Sequence, residues 1–363
     1  MTASPIVWAD AARAGAFDHW LATLARQHAL QADSLRLASA DASFRRYFRV
    51  DAAAGAGAAG SYIIMDAPPA KEDCRPFAKV AGLMLEAGLN APRVLSWDEA
   101  QGFMLLTDLG TQTLLDVIAP PAAVEAIAQP TAAHHALYLD AVDALVRWQL
   151  ASRPGVLPPY DEALLSRELA LFPDWYVAQH RGIALDAGLQ GQLDGLFAQI
   201  KASNLQSLGG ARVYVHRDFM PRNLMLGKNG DLGILDFQDA VYGPISYDIA
   251  SLMRDAFLSW EEDFVLDITV RYWQKARKAG LPVGDDFGEF YRAVEWMGLQ
   301  RHLKVLGIFA RLTLRDGKPK YLADTPRFIK YARATCARYR QLGPLMVLLD
   351  EIEGNETRVG YTF

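Results

Sequence analysis

Apolar residues in the first third of the chain follow first a helical and then a strand-like pattern. Residues 15–32 place aromatic and aliphatic side chains at helical spacing, which predicts an amphipathic helix. Short apolar runs between turn residues then predict a series of strands. These strands are expected at 35–40, 46–51, 61–66, 93–97 and 102–107. With a helix predicted over 74–87, the pattern indicates a small antiparallel sheet that includes one helix between its strands.

Helical periodicity dominates the rest of the chain. Helices are predicted at 111–118, 134–151, 165–180, 260–278, 287–306 and 326–342. Residues 119–132, which are rich in proline and alanine, are interpreted as a connector. A chain of 363 residues is long enough to divide into two lobes. The sequence therefore predicts an α+β fold, with a small sheet lobe followed by a larger, mostly helical lobe.

Composition narrows the functional classes. Hydrophobic residues make up 51% of the chain and the net charge is −5, values typical of a folded globular protein. No basic tract indicates nucleic acid as a partner, no apolar run is long enough to cross a bilayer, and the N-terminus does not resemble a signal peptide. Cys74 and Cys336 are expected to be free thiols in a reducing cytosol. We predict a cytoplasmic protein without nucleic-acid or membrane partners and with no obligate protein partner evident.

Residues 213–240 combine two apolar strands with polar residues at characteristic spacing. Asp218 follows the first strand in the tripeptide H-R-D, Asn223 lies five positions further on, and Asp236 follows the second strand. Asp218 could accept or orient the proton of an acceptor hydroxyl. Asn223 and Asp236 offer oxygen ligands of the kind that Mg²⁺ prefers, and the turn between the strands would bring them together. The pattern resembles the catalytic segment of kinases, which transfer a phosphoryl group from ATP.

Longer motifs extend this resemblance over nearly the whole chain. HRDFMPRNLM with GILDFQDAVYGPISYD resembles the aminoglycoside phosphotransferase and choline kinase superfamily. Within it, the chain looks most like the bacterial anomeric kinases that act on N-acetylmuramate and N-acetylglucosamine in cell-wall recycling. The motifs that carry this narrower resemblance are DASFRRYFRV (41–50), MDAPPAKED (65–73), LLTDLGTQTLLD (105–116), LSRELALFPDWYV (165–177) and VGYTF (359–363).

The resemblance implies a bilobal, protein-kinase-like fold with ATP between the lobes and Mg²⁺ as cofactor. The implied domains are a first lobe at 1–106, a hinge at 107–110 and a second lobe at 111–363. Thr107 and Leu109 would bind the adenine edge through their main chains. Asp108 would contact the ribose or cap the following helix, and capping is the favoured interpretation. Asp248 resembles the aspartate that braces the catalytic loop in this superfamily.

The first predicted hairpin would cover the phosphates of ATP. Its turn lacks the usual glycines, but the small Ser43 could let backbone N–H groups approach phosphate oxygens. Arg45 or Arg46 could face a phosphate, and Arg45 is the predicted nucleotide contact. The alternative explanation is that strand alternation sends one of the pair to solvent. The lysine that kinases carry in the third strand is missing, and Lys71 or Lys79 could replace it.

Candidate sugar contacts come from the second lobe. Glu168 and Trp175 lie on an aromatic helix face that could stack on a sugar ring and hold its hydroxyls, although ordinary core packing is the favoured explanation. N-acetylmuramate carries a lactyl carboxylate, for which Arg222, Arg301 and His302 are candidate partners. Solvated helix charges are the alternative explanation for each of these three residues.

The resemblance therefore implies an ATP-dependent kinase that phosphorylates the anomeric hydroxyl of N-acetylmuramate and N-acetylglucosamine in peptidoglycan recycling. Asp218 would be the catalytic residue, with Asn223 and Asp236 as metal ligands. One alternative is a small-molecule kinase for another hydroxyl, of aminoglycoside, choline or homoserine type. A second is a nucleotide-binding pseudokinase, which the missing lysine favours. A protein kinase is disfavoured because no A-P-E activation segment follows Asp236.

Overall fold

In the computed structural model, which describes residues 6–8, 10–40, 44–53, 60–118, 130–227 and 232–354, the chain packs as two units. The first comprises Met1–Val117 and Arg222–Asp239, and the second comprises Ile118–Pro221 and Ala240–Phe363. The sequence analysis assigns Arg222–Asp239 to the helical lobe, whereas Cα packing groups this segment with the sheet. The predicted domain boundaries and hinge stay a prediction.

The first unit is built on a five-stranded sheet in which all neighbouring strands are antiparallel. Its strands are β1 (Leu30–Ala40), β2 (Arg46–Ala52), β3 (Ser61–Asp66), β4 (Val94–Asp98) and β5 (Phe103–Thr107). They lie in the order β1-β2-β3-β5-β4. The antiparallel sheet predicted from the sequence is confirmed.

Three helices accompany this sheet, namely α1 (Ala11–His28), α2 (Arg75–Glu86) and α3 (Leu114–Ile118). Helix α1 begins after Asp10, whose carboxylate accepts a hydrogen bond from the Ala12 N–H and so satisfies one unpaired donor of the first turn. Phe17 packs edge-on against Phe48 and Phe103, with ring centroids 5.5 and 5.4 Å away. These buried rings attach α1 to the sheet.

A small second hairpin in the first unit carries part of the predicted catalytic segment. Its strands are β7 (Leu224–Leu226) and β8 (Leu232–Ile234). The Ile234 N–H donates to the Asn90 carbonyl at 2.8 Å. Beyond β8, the ring of Phe237 packs against that of Phe77 in α2, with centroids 5.0 Å apart. These contacts attach the hairpin to the rest of the first unit.

The second unit is mostly helical, as the sequence predicts. Its helices are α4 (Ala132–Leu150), α5 (Glu162–Leu171), α6 (Ala187–Gln206), α7 (Ser246–Met253), α8 (Glu262–Lys278), α9 (Phe287–Leu314), α10 (Thr325–Arg338) and α11 (Gly343–Glu353). Shorter 3₁₀ turns lie at Ser207–Gly210, Pro221–Asn223, Pro319–Asp324 and Arg340–Leu342. The strands β6 (Arg212–Val215) and β9 (Val241–Pro244) form an antiparallel pair.

Helix α6 is missing from the sequence prediction. It contains three glycines, and each lowers helix propensity by about 1 kcal/mol relative to alanine. Four of its apolar residues are nevertheless buried at helical spacing: Leu193, Leu196, Phe197 and Ile200. Packing in the tertiary structure therefore outweighs the poor local propensity of this segment.

The single helix predicted around Pro173 consists of two elements. Helix α5 ends at Leu171, and a π-helix over Phe172–His180 follows it directly. The Arg181 N–H donates to the Tyr176 carbonyl, five residues earlier, at 3.0 Å. Pro173 has no N–H to donate, so α-helical hydrogen bonding is interrupted at the point where the wider helix begins.

None of the helices in the described part of the chain is both long and apolar enough to span a membrane. Cys74 and Cys336 are buried free thiols, as the sequence predicts.

Close packing between α9 and the end of α5 makes Gly307 sensitive to substitution. A Cβ at this position would lie 2.6 Å from the Leu171 Cβ and closer still to the Leu171 carbonyl. We expect Gly307→Ala to lower the free energy of unfolding by about 1–3 kcal/mol, because the backbone carbonyl cannot rotate away. Urea unfolding measures the change.

Gly195→Ala is the matched control for Gly307→Ala. Gly195 is an exposed helical glycine in α6, and its Cβ would meet nothing within 4 Å. This control is expected to stabilise the protein by up to about 1 kcal/mol. Equal effects of the two substitutions would show that the helix crossing is not tightly packed.

Candidate active site

Strand β6 leads directly into the residues that carry Asp218. The Tyr214 N–H in this strand donates to the Ser152 hydroxyl at 2.7 Å. His216 is fully buried, and its Nδ1 accepts a hydrogen bond from the Asp218 N–H at 3.2 Å. We call residues 216–221 the catalytic loop. The imidazole supports this loop from inside the fold.

A buried carboxylate from α7 holds the main chain of the catalytic loop. Asp248 accepts hydrogen bonds from the His216 N–H at 2.7 Å and from the Arg217 N–H at 3.0 Å. Burial raises the pKa of Asp248 to about 7, while the two N–H donors lower it. Arg217 has a φ of +77°, a left-handed conformation that costs a non-glycine residue about 1–3 kcal/mol. The hydrogen bonds to Asp248 stabilise this conformation, on which the position of Asp218 depends.

Glu168 of α5 binds the side chain of the same loop. Its Oε1 accepts a hydrogen bond from Arg217 at 2.5 Å and lies 3.1 Å from the Lys304 Nζ. Its Oε2 accepts from the Tyr160 hydroxyl at 2.5 Å and from the Gln300 amide at 2.8 Å. We call these five residues the Glu168 cluster. Protein donors occupy both carboxylate oxygens, and the predicted contact of Glu168 with a sugar stays a prediction.

The charges of the Glu168 cluster are strongly coupled. Burial would raise the pKa of Glu168, but the ammonium of Lys304 and the guanidinium of Arg217 lower it to about 2. The sequence analysis does not assign a role to Lys304 or Gln300. A signal was present, because these residues are four positions apart and so share one face of the helix.

Asn223 and Asp236 lie within hydrogen-bond distance of each other in the first unit. The Asn223 amide donates to Asp236 Oδ2 at 3.2 Å, and the Gln238 amide donates to Oδ1 at 2.8 Å. Asp236 has a φ of +62°, which turns the chain at the end of the hairpin. The pair offers a carboxylate and an amide oxygen, a donor set that fits Mg²⁺ completed by water and phosphate oxygens. The described residues contain no cluster of three or more His, Cys, Asp or Glu suited to a metal.

The arginines of the first hairpin each have a carboxylate partner, whereas Ser43 lies outside the described residues. Arg45 is 8% exposed and lies 3.1 Å from Glu72, which also accepts a hydrogen bond from the Phe44 N–H at 3.0 Å. Arg46 pairs with Asp66 at 2.5 Å. The Arg46 side chain is 30% exposed, and the assignment of either arginine to a phosphate stays a prediction.

Strand β3 ends in Asp66 where a kinase would carry its lysine. Asp66 is buried and binds the guanidinium groups of Arg13 and Arg46, so this end of the strand is occupied by a structural ion-pair group. Lys71, one of the suggested replacements, lies 4.4 Å from the centroid of the Phe44 ring. Like the Arg46–Asp66 pair, the Arg45–Glu72 pair joins a cation of the predicted phosphate-covering hairpin to a carboxylate.

The residues predicted to bind adenine follow strand β5. The Thr107 N–H already donates to the Arg93 carbonyl at 3.1 Å. The Leu109 side chain packs against Gly233, where an added Cβ would lie 3.0 Å from its Cδ1. The roles of Thr107 and Leu109 in nucleotide binding stay predictions.

Asp108 does not cap α3, so the favoured interpretation of this residue is wrong. Its carboxylate binds the Arg49 guanidinium at 2.6 Å and accepts from the Ser61 hydroxyl at 2.7 Å. Burial would raise the pKa of Asp108, but these donors and the Gly110 N–H lower it. Asp108 therefore joins β2 and β3 to the segment that follows β5.

The residues predicted to bind the lactyl carboxylate or the sugar ring differ in exposure. Arg301 and His302 are only 5% and 2% exposed, so they are not the solvated helix charges that the sequence analysis allowed. Burial lowers the pKa of His302 well below its ordinary value, with further lowering by Arg301 and Arg254, and its imidazole is neutral. Arg222, by contrast, is exposed. Trp175 is half-buried against the core of the second unit.

Comparison with known proteins gives matches over most of the sequence. The phosphotransferase enzyme family matches residues 34–287. An N-acetylmuramate/N-acetylglucosamine kinase from Pseudomonas aeruginosa is 50% identical, over 86% of this chain and 86% of its own. Enzymes of the same name from Neisseria meningitidis and Pseudomonas putida are 49% and 45% identical, over 91% and 89% of this chain and 94% and 89% of their own.

Solved structures share the fold at much lower identity. The ADP-bound aminoglycoside phosphotransferase APH(2'')-Ib superimposes with a TM-score of 0.54 and 14% identity, covering 89% of this chain and 97% of its own. A choline kinase from Cryptosporidium parvum has a TM-score of 0.57 and 10% identity, covering 92% of this chain and 99% of its own. These matches confirm the predicted kinase-like α+β fold.

The low pKa of Glu168 predicts how stability depends on pH. A carboxylate whose pKa is lowered from 4.5 to about 2 stabilises the fold above the higher value and loses this effect as pH falls toward the lower one. We expect the advantage of the wild type over Glu168→Gln in unfolding free energy to shrink by about 2 kcal/mol between pH 5 and pH 3. Urea unfolding at several pH values measures it.

Glu162→Gln, on the same helix, is the control for this titration. The Glu162 side chain is 70% exposed, so its substitution should leave the pH dependence close to that of the wild type. Parallel stability curves for the wild type and Glu168→Gln would contradict the coupling of Glu168 to Lys304 and Arg217.

Proposed function

The chain belongs to the phosphotransferase enzyme family, and from that premise we propose that it is an ATP-dependent kinase for the anomeric hydroxyl of N-acetylmuramate and N-acetylglucosamine. The observation that carries this proposal is the set of N-acetylmuramate/N-acetylglucosamine kinases that are 45% to 50% identical over most of the chain. The product would be the sugar 1-phosphate. Such a reaction, in the cytoplasm, would serve the recycling of peptidoglycan sugars.

Asp218 is the proposed catalytic residue. The acceptor oxygen attacks the γ-phosphorus of ATP, the bond from that phosphorus to the β–γ bridging oxygen breaks, and the acceptor proton moves to the Asp218 carboxylate. Support comes from the hydrogen bonds that His216 and Asp248 make to the loop, since they position Asp218 before substrate arrives.

Asn223 and Asp236 are the proposed metal ligands. When bound, Mg²⁺ supplies positive charge that neutralises the β- and γ-phosphates during transfer. The amides of Asn223 and Gln238 hold the Asp236 carboxylate, which supports a prearranged ligand. A pseudokinase is less favoured, because this chain retains Asp218, Asn223 and Asp236.

The remaining contacts of ATP are assigned to the first unit. Arg45 would bind a phosphate, with Glu72 holding its guanidinium in place. Ser43 would approach the phosphates, and the main chains of Thr107 and Leu109 would meet the adenine edge. These assignments follow the order of elements shared with the superfamily.

Selectivity for the sugar is assigned to exposed and half-exposed side chains. Arg222 is the favoured partner of the lactyl carboxylate, because it is exposed whereas Arg301 and His302 are buried. Trp175 is the proposed stacking surface for a sugar ring.

Replacement of Asp218 tests the proposed chemistry. We expect Asp218→Asn to lower kcat for N-acetylmuramate and N-acetylglucosamine by about 10²–10⁴-fold, because the proton acceptor is lost, with ATP affinity unchanged. ADP release coupled to a spectroscopic assay measures kcat, and calorimetry measures ATP affinity.

The same assay tests which hydroxyl accepts the phosphoryl group. Reduction of the sugar to its alditol converts the anomeric carbon to a primary alcohol and should abolish turnover. Turnover with kanamycin or choline in place of the N-acetyl sugars would disprove the proposed substrate class while keeping the kinase.

Replacement of Asp236 tests the metal site. We expect Asp236→Asn to raise the Mg²⁺ concentration for half-maximal activity by at least about tenfold, because an anionic ligand becomes neutral. Asp285→Asn, at a side chain that is 92% exposed, is the control and should not change it. Identical Mg²⁺ titrations for Asp236→Asn and the wild type would argue against Asp236 as a ligand.

A further inference from the structure

Two buried cations share one carboxylate beside the catalytic loop. Lys304 from α9 and Arg217 from the loop both lie against the Oε1 atom of Glu168. The side chains of Lys304 and Glu168 are 9% and 5% exposed, so water and salt screen the interaction little. Since one carboxylate balances one cation, the Glu168 cluster by itself contains one positive charge in excess.

Asp218 supplies the negative charge that the cluster lacks. Both Lys304 and Arg217 interact electrostatically with its carboxylate. An unbalanced buried charge is costly, so the excess positive charge of the cluster favours a position of this carboxylate beside the two cations.

Lys304 also connects the loop to the helix that braces it. Its ammonium donates a hydrogen bond to the Tyr247 hydroxyl at 3.1 Å, and Tyr247 directly precedes Asp248 in α7. The Tyr247 ring packs edge-on against Tyr160, with centroids 5.3 Å apart. The Tyr160 hydroxyl in turn donates to Glu168. Lys304 therefore closes a ring of contacts around the base of the loop.

We propose that Lys304 is a positioning residue for the catalytic loop, which it holds through Glu168 and Arg217 so that Asp218 faces the acceptor hydroxyl. The inference rests on the proposed function, because Asp218 is the catalytic residue there. Lys304 acts through these neighbours and not on the reacting atoms. The ionisable groups that interact with its ammonium are Glu168 from α5, Arg217 and Asp218 from the loop, and Tyr247 from α7. Behind them, Tyr160 donates to Glu168, and the Arg301 guanidinium of α9 lies 5.4 Å from the centroid of the Tyr247 ring.

Kinetics of Lys304→Met and Lys304→Arg test the proposal. We expect Lys304→Met to lower kcat with N-acetylglucosamine about 10- to 100-fold, with KM for ATP changed less than about threefold. Lys304→Arg keeps the charge and should retain most of kcat. Lys278→Met, at an exposed position of α8, is the control.

A purely structural role gives a different result. In that case Lys304→Met would lower stability while kcat per folded molecule stays as in the wild type, and the proposal would be overturned. If Lys304→Met does not fold, the double variant Glu168→Gln/Lys304→Met, which removes both charges, is compared with Glu168→Gln alone. The proposal expects equal kcat in these two variants within about threefold, because Lys304 acts through Glu168, and a further tenfold loss would overturn it.

Hydrogen exchange separates this inference from the proposed function. Without substrate, the N–H groups of His216 and Arg217 should exchange at least about tenfold faster in Lys304→Met than in the wild type or Lys304→Arg, while α10 is unchanged. Unchanged exchange in the loop would overturn the positioning role. Absence of turnover with either N-acetyl sugar in the wild type would instead disprove the proposed function, and the exchange result would still decide the role of Lys304 in positioning.

Discussion

The donation of two adjacent backbone N–H groups to one buried carboxylate is the constraint on which the rest of the second unit's site depends. Asp248 accepts from His216 and Arg217, and this arrangement allows Arg217 to keep its left-handed backbone. The Arg217 side chain then enters the fold and meets Glu168. Without the carboxylate, the strained residue would relax and the position of Asp218 would no longer be defined. The same main-chain turn thus positions Asp218 and places the Arg217 side chain against Glu168.

Carboxylates perform a similar duty in the first unit, where they hold arginines. Asp66 binds Arg46 at the end of β3, and Glu72 binds Arg45 at the base of the first hairpin. Kinases commonly hold ATP phosphates with a strand lysine paired to a helix glutamate. Here the strand ends in an acidic residue, and the first hairpin supplies Arg45, whose contact with a phosphate stays a prediction. A guanidinium suits this duty, because its planar donors can bind a carboxylate and a phosphate at once.

Much of the fold was predictable because local pattern and burial agree. The strands, the long amphipathic helices and the order H-R-D, Asn, Asp follow from short-range sequence patterns. Most bounds lie close to the predicted ones, but β1 begins five residues earlier, at Leu30, and α9 continues eight residues further, to Leu314. Helix α6 was missed because glycines mask its helical period, and the π-helix was missed because its wider turn begins at a proline. The pattern leaves Arg301 and His302 as candidates for solvent or ligand, since sequence does not show which face of a helix is covered, whereas it favours core packing for the face that carries Glu168. Their burial depends on neighbours that are distant in the chain.

The sequence by itself determined the class of chemistry, because the spacing of Asp218, Asn223 and Asp236 is carried by one continuous segment whose strand and turn residues are local signals. It also determined the antiparallel sheet and the helical character of the second unit. Only the tertiary structure decided which charges meet. Glu168, Arg217 and Lys304 come from three elements, and their shared burial is what lowers the pKa of Glu168 to about 2. The Coulomb energy of these charges depends on the distances between them and on their removal from water. Both are fixed only when the helices pack.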